Sequence, residues 1–211
     1  MSTFNIIAET KESTVVAEYV SEYAHGATYQ SEAELEREFI KLLQDQGYEK
    51  ATISSEGDLK HNLRRQLEIL NDYRFSDSEW DRFFRESIAS TSEGIVEKTR
   101  RIQSDHVQIL RRDDGVDKNI RLIDKNNIHN NRLQVLNQYE ETGGTHGTRY
   151  DVTILVNGLP LVHIELKRRG IAIREAFNQI DRYQRDSFWA TSGLFEYVQI
   201  FVISNGTHTK Y

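Results

Sequence analysis

Asp151, Glu165 and Lys167 are the residues of this chain whose types and spacing carry the most chemistry. They lie in the stretch YDVTILVNGLPLVHIELKR, residues 150–168. Side chains alternate faces along a β-strand, so His163, Glu165 and Lys167 share one face and Val162, Ile164 and Leu166 take the other. The apolar face is expected to be buried and the polar face to carry the chemistry. In the preceding run, Val152, Ile154 and Val156 stand opposite Asp151 and Thr153, and Asn157-Gly158 marks a turn. A two-residue Asn-Gly loop would pair Tyr150 with Glu165. A loop one residue longer pairs Asp151 with Glu165, and this register is expected, with a type I turn over residues 155–158, Gly158 left-handed in a bulge and Pro160 near the strand start. Two carboxylates held close repel each other and share a proton unless a cation lies between them. Hard oxygen donors with open water positions suit Mg²⁺, which uses one or two carboxylates and keeps several waters. Lys167 would then orient or deprotonate a metal-bound water and stabilise charge building on a phosphate, which makes the set one for phosphodiester hydrolysis. The competing reading is a solvated strand edge with a Glu–Lys pair worth little.

Several elements must position these groups. Residues 31–49, SEAELEREFIKLLQDQGYE, predict a helix with Ser31 as N-cap, Glu34 completing a capping box and an apolar stripe at Leu35, Phe39, Leu42 and Leu43. Gly47 ends it. Residues 58–71, 79–89 and 93–103 predict further amphipathic helices, with Trp80, Phe83 and Phe84 as core. His106–Arg112 and Asn119–Asp124 flank Asp113-Asp114-Gly115 as a hairpin. The aspartates there are turn formers, because the spacing and closing Glu of a calcium loop are missing. A strand over 132–139 leads to a Gly-rich loop, residues 141–147, which either closes over substrate or is simply flexible.

Residues 172–186 predict a helix with Ile173, Phe177 and Ile180 toward the sheet, and Gln179 and Tyr183 stacked four apart on another face. By themselves the latter two read as a polar helix flank with a half-buried Tyr. Tyr197–Ser204 is apolar almost throughout, as in a strand covered on both faces. Residues 1–28 show no period and read as an arm.

The 211 residues favour one domain with a real core, and 37% hydrophobic and 28% charged content suits a soluble protein. With no cysteine there is neither disulfide nor thiolate metal site. No secretory segment or membrane span is legible, so a cytoplasmic location without a membrane role is expected. The net charge of −6 argues against indiscriminate nucleic-acid affinity, but the halves differ. Residues 1–100 hold 12 basic and 20 acidic groups, and residues 101–211 hold 15 basic and 13 acidic. The basic groups include Arg149, Arg168, Arg169, Arg174, Arg182 and Arg185 around the candidate site, where they suit local phosphate contact. His163 stands two residues before Glu165, either in a minor metal or phosphate role or as a polar strand-face residue. No G-x-x-x-x-G-K-[ST] loop is present, so this chain is not expected to hydrolyse ATP.

Asp151, Glu165-Leu166-Lys167 and Gln179-x-x-x-Tyr183 together resemble the PD-(D/E)xK nuclease superfamily. More narrowly, the text from Arg149 to Val162, through Ile171-Ala-Ile-Arg-Glu-Ala-Phe-Asn-Gln-Ile180, to Ile203-Ser-Asn-Gly206 resembles the N-terminal nuclease region of the restriction (motor, R) subunit of type I restriction-modification enzymes. The similarity runs from about Tyr29 to the end and is weakest between Lys50 and Arg101. The superfamily's first Pro is Tyr150 here, a position that varies within it.

The resemblance implies an α/β fold, a mixed sheet flanked by helices in the order α-β-β-β-α-β. Residues 29–211 would form a single nuclease domain with a helical elaboration at about 50–103. It implies Mg²⁺-dependent endonucleolytic cleavage of double-stranded DNA, the activity of a type I site-specific deoxyribonuclease. Asp151 and Glu165 would hold metal, Lys167 would act on the water, and Gln179, Tyr183 and Arg182 would organise the site or contact DNA. A first-helix acid would be a further ligand, with Glu36 the candidate over Glu32 and Glu38, against the alternative of a solvated acidic face. It also implies modification and specificity subunits as partners and an ATP-driven motor following Tyr211, so that this chain would be a fragment of a larger protein. The rival readings are a catalytically silent DNA-clamping or docking domain of the same fold and a free-standing DNA repair nuclease.

Overall fold

The reciprocal cap expected at Ser31 opens the first helix. The Ser31 hydroxyl accepts a hydrogen bond from the Glu34 backbone N–H at 3.2 Å, and the Glu34 carboxylate accepts from the Ser31 N–H at 2.9 Å. This helix, α1 (Glu32–Asp45), buries Glu36, Ile40 and Leu43. Leu42, expected in the apolar stripe, is 58% exposed. The sheet meets the face through positions 36, 40 and 43, so Ile40 fills the place assigned to Leu42.

The protein is described from a computed structural model over residues 4–9, 15–20, 31–141, 148–169 and 193–211. The expected helix over 172–186, with Gln179, Arg182 and Tyr183, and most of the Gly-rich loop lie outside the described residues. The remaining elements are β1 (Phe4–Glu9), β2 (Val15–Val20), β3 (Glu49–Lys50), α2 (Glu56–Asn71), α3 (Asp77–Phe83), α4 (Ile95–Gln103), β4 (Val107–Arg111), β5 (Asp117–Arg121), β6 (Leu133–Glu141), β7 (Thr148–Val156), β8 (Leu159–Leu166), β9 (Ile200–Ser204) and β10 (His208–Lys210). Among the described residues, eight strands form one mixed sheet in the order β1-β2-β10-β9-β8-β7-β6-β3, and β4 and β5 form a separate hairpin. β3 runs parallel to β6 and β9 parallel to β8, and the other pairs are antiparallel. This is a mixed α/β fold, a central mixed sheet flanked by helices, consistent with a PD-(D/E)xK nuclease-like core carrying extra helices.

Within the stretch read as an arm, the described residues 4–9 and 15–20 are strands. β1 and β2 pair with each other, and β2 joins the distant β10, a partner that local periodicity cannot reveal. The run expected as one strand from Tyr197 also divides: Leu194–Tyr197 is a 3₁₀ turn and β9 begins at Ile200. Ile200 is 47% exposed, so the covering of β9 is not complete on both faces.

Among the described residues, the sheet separates two apolar clusters. Ile40 and Leu43 of α1 pack with Val135, Val152, Ile164 and Leu166. The larger cluster gathers α2, α3, α4 and the β4–β5 hairpin, including Leu63, Trp80, Phe83, Ile102 and Leu110, against Leu136, Leu155 and Leu159. The helical elaboration thus supplies much of the larger core. At the β4–β5 turn, Gly115 has φ +82° and the Asp114 carboxylate accepts from the Val116 N–H at 3.0 Å, so the acidic pair does form a turn.

The turn between β7 and β8 sets the register of the candidate site. Asn157 and Gly158 have φ +51° and +84°, the signs required at both centres of a type I′ two-residue turn. Val156 pairs with Leu159 and Leu155 with Pro160, and then the ladder shifts so that Ile154 meets Val162 and Val152 meets Ile164. The extra residue is therefore Leu161 in β8, not Gly158 in a longer loop. Continued one step, this register sets Asp151 opposite Glu165, the pairing expected from the sequence but reached by a different device. Asn157 is fully buried and pins the turn. Its amide donates to the Leu122 carbonyl at 3.0 Å and to Asn131 Oδ1 at 2.7 Å, and its Oδ1 accepts from the Arg132 N–H at 2.9 Å.

A Cβ on Gly158 would lie 2.6 Å from Leu63 Cα, so the turn and α2 touch backbone to backbone. Gly158→Ala is expected to lower the unfolding free energy by about 2 kcal/mol or more, through strain at positive φ and displacement of α2. Urea unfolding of the two chains measures it.

Candidate active site

β7 and β8 bring Asp151, Glu165 and Lys167 together beside the end of β8. Asp151 Oδ2 accepts the Leu166 N–H at 2.9 Å, which ties the carboxylate to the neighbouring strand. Lys167 follows β8, its N–H donating to the Ser204 carbonyl of β9 at 2.8 Å, and its ammonium donates to Glu165 Oε1 at 2.7 Å. Glu165 is 0% exposed, and its Oε2 has no hydrogen-bond partner among the described residues. That oxygen lies 3.8 Å from His163 Nε2.

The polar face of β8 is not open as expected. His163 and Glu165 are as buried as Ile164 and Leu166, because aromatic residues cover the His163 side. The His163 ring meets Tyr150 edge-on at 5.0 Å between centroids and Phe201 at 6.2 Å. Asp151 and Lys167, at the strand end, are half-buried where His163 and Glu165 are fully covered.

The local field sets the protonation states. Burial, and then the Glu165 charge, push the Asp151 carboxyl up to about 6, with Glu36 adding to the rise, while the Leu166 N–H and the Lys167 charge oppose it. Burial disfavours the Lys167 ammonium, but the Glu165 hydrogen bond and the charges of Glu165, Asp151 and Glu32 outweigh it and raise its pKa. Lys167 is thus a held ammonium suited to orienting water and balancing negative charge. It is poorly suited to taking up a proton.

Glu36 faces the sheet and is buried, whereas Glu32 and Glu38 are exposed. Its carboxylate accepts from Asn137 Nδ2 at 2.9 Å and from Gln138 Nε2 at 3.2 Å to each oxygen. Glu32 accepts the Arg168 N–H at 3.2 Å. Asn137 and Gln138 were not anticipated as site residues. The signal for them was a break in alternation within β6, where Val135-Leu136 is followed by Asn137-Gln138.

Two facing carboxylates, one pushed toward protonation and the other with a buried oxygen lacking a hydrogen bond, form a donor set that fits a small hard cation. Among the described residues, no three His, Asp or Glu side chains gather closely enough to hold an ion. The fit is thus to two protein carboxylates with water completing the shell, the habit of Mg²⁺.

Residues 29–211 match the family described as Type I restriction enzyme R protein N terminus. The chain is 50% identical over 206 residues to the Type I restriction enzyme EcoprrI endonuclease subunit of Escherichia coli, an alignment covering 97% of this chain and 66% of that protein. It is 43% identical over 188 residues to a type I restriction enzyme endonuclease subunit of Staphylococcus saprophyticus, and 41% over 187 residues to one of Staphylococcus aureus. These cover 87% of this chain and 19% of each staphylococcal protein, so the chain spans only part of the relatives' length.

Proposed function

This chain belongs to the family of the type I restriction enzyme R protein N terminus, and on that footing we propose that it is a Mg²⁺-dependent endonuclease domain cutting double-stranded DNA. The observation that carries the reading is the buried Glu165 Oε2, which has no hydrogen bond among the described residues, beside a raised Asp151 carboxyl and a held Lys167 ammonium. Asp151 and Glu165 would hold the ion, which when bound neutralises phosphate charge and lowers the pKa of a coordinated water. Lys167 stays protonated, keeps Glu165 oriented through the 2.7 Å hydrogen bond, and offers its remaining N–H donors to a phosphate oxygen or attacking water. The Leu166 N–H keeps one Asp151 oxygen fixed and leaves the other for ligation. Gln179, Tyr183 and Arg182 are proposed to support the site or contact DNA.

The longer relatives leave room for an ATP-driven motor beyond the matched region, and the proposed setting is a cytoplasmic complex with modification and specificity subunits. The overall charge of −6 supports a domain delivered to DNA by other modules, with Arg168 and Arg169 exposed beside the site for phosphate contact.

Calorimetric titration of Mn²⁺, a more tightly held substitute for Mg²⁺, tests the site. Binding is expected in the unaltered chain, lost in Asp151→Ala and kept in Lys167→Ala. Binding that survives Asp151→Ala would leave a silent clamping or docking domain as the better description.

A further inference from the structure

Gln138 lies within β6, yet its φ is +53°, a left-handed conformation that residues with a Cβ adopt at a cost. In the β6–β7 register, Asn137 pairs with Val152 and Tyr139 with Tyr150, so the strained residue is the one opposite Asp151.

The left-handed step has two consequences. Leu136 and Tyr139, three apart, both reach the large core cluster, although a regular strand would send them to opposite faces. Asn137 and Gln138, adjacent and so also expected on opposite faces, both direct their side-chain amides at Glu36. Three N–H···O bonds at 2.9–3.2 Å fix that carboxylate on α1 against Gln138, the β6 residue that stands opposite Asp151. The amides leave Glu36 with acceptor capacity to spare.

We propose that Gln138, with Asn137, is a positioning residue of the nuclease site: the strained strand residue opposite Asp151 turns two amides onto Glu36 and so fixes a further carboxylate at the outer edge of the Asp151–Glu165 pair. Held this way, Glu36 would accept hydrogen bonds from water on a bound cation and would not itself ligate the ion. Such outer partners orient what surrounds a metal, and losing one typically weakens metal binding roughly 10–100-fold. The inference rests on the nuclease reading above. The competing explanation is that the left-handed step serves only to return Tyr139 to the core.

Mn²⁺ titrations and thermal melts of the chain carrying Gln138→Ala, Gln138→Gly, Glu36→Gln and Glu36→Gln/Gln138→Ala separate these. Gln138 is exposed and Glu36→Gln keeps the size of the buried side chain, so the variants are expected to fold, as the melts check. Both Gln138 variants should weaken Mn²⁺ binding about tenfold, and Gln138→Gly should do so while raising the melting temperature, since glycine accepts positive φ. In the Glu36→Gln background, Gln138→Ala should cause no further weakening, the mark of a residue acting through another. Unchanged Mn²⁺ affinity in Gln138→Ala, or full additivity with Glu36→Gln, overturns the proposal. Asp151→Ala, run in parallel, tells the two levels apart. Loss of binding there with Gln138→Ala unaffected removes only the positioning role. Binding retained there, or absent from the unaltered chain, removes the nuclease reading as well.

Discussion

Asp151→Asn is expected to make the metal-free protein more stable at neutral pH while abolishing Mn²⁺ uptake and DNA cleavage. Burial and the neighbouring Glu165 charge raise the folded-state pKa of Asp151 from the ordinary 3.8 to about 6. Between about pH 4 and 6 the folded chain therefore holds a proton that the unfolded chain has released, so stability falls as pH rises through that window and levels off above it. At about 1.4 kcal/mol per pKa unit, ionised Asp151 costs the fold about 1–3 kcal/mol at neutral pH. Asparagine removes that cost and keeps an oxygen to accept the Leu166 N–H, which alanine would leave unsatisfied.

Unfolding in the presence of a chelator, from pH 4 to 8, should give curves for the two proteins that converge at the acid end and separate above pH 6. Saturating Mn²⁺ should reverse the order, because a ligand that binds only the folded unaltered chain stabilises it by mass action. A variant no more stable than the unaltered chain at pH 7 without metal would show that Asp151 ionises there without penalty, contrary to the field described.

Lys98→Met is expected to lower the unfolding free energy by about 3–5 kcal/mol, as befits breaking a buried ion pair from one side. Lys98 is 2% exposed and Glu196 7%. The ammonium donates to the Glu196 carboxylate and to the Gly193 carbonyl at 2.9 Å, and lies 5.8 Å from the Tyr197 ring centre. Two further bonds tie the same region. Arg101 reaches the Tyr197 hydroxyl at 3.3 Å, and that hydroxyl, its pKa pushed up to about 12 chiefly by burial, donates to the Ile88 carbonyl at 2.9 Å.

Together these bonds fasten α4 and the segment after α3 to the turn that feeds β9, the strand receiving the Lys167 N–H. Removing the lysine charge leaves a buried carboxylate uncompensated, whereas Lys98→Met/Glu196→Leu replaces both charges with apolar volume and should recover most of the loss. Urea unfolding of the singles and the double measures the coupling. A double variant worse than either single would mean that the pair contributes net stability and is more than a charge needing its partner.

The features legible in the sequence were those settled within a few residues. Ser31 with Glu34 closes its capping box as a three-residue spacing requires, because donor and acceptor lie on one turn of chain. Asn157-Gly158 makes a turn because those residues accept positive φ, and the alternation of β8 sets His163 and Glu165 on the face opposite Ile164 and Leu166. The acid, acid, lysine pattern was readable for the same reason, once the hairpin was recognised.

Tertiary structure decided what depends on distant partners. The β-bulge at Leu161 turns a two-residue loop into the register that faces Asp151 toward Glu165. The choice of Ile40 over Leu42 follows from where the sheet meets α1. Burial of His163 requires the Tyr150 and Phe201 rings against it, the joining of β2 to β10 links chain ends, and Lys98 finds its carboxylate across almost half the chain. The left-handed backbone of Gln138 has no local cause, since glutamine disfavours positive φ, and it is sustained by Glu36 on one side and the buried Tyr139 on the other. Short-range preferences decide caps, turns and faces. Register, burial and protonation are set by the energies of packing and of buried charge, which sum over residues that the chain brings together only on folding.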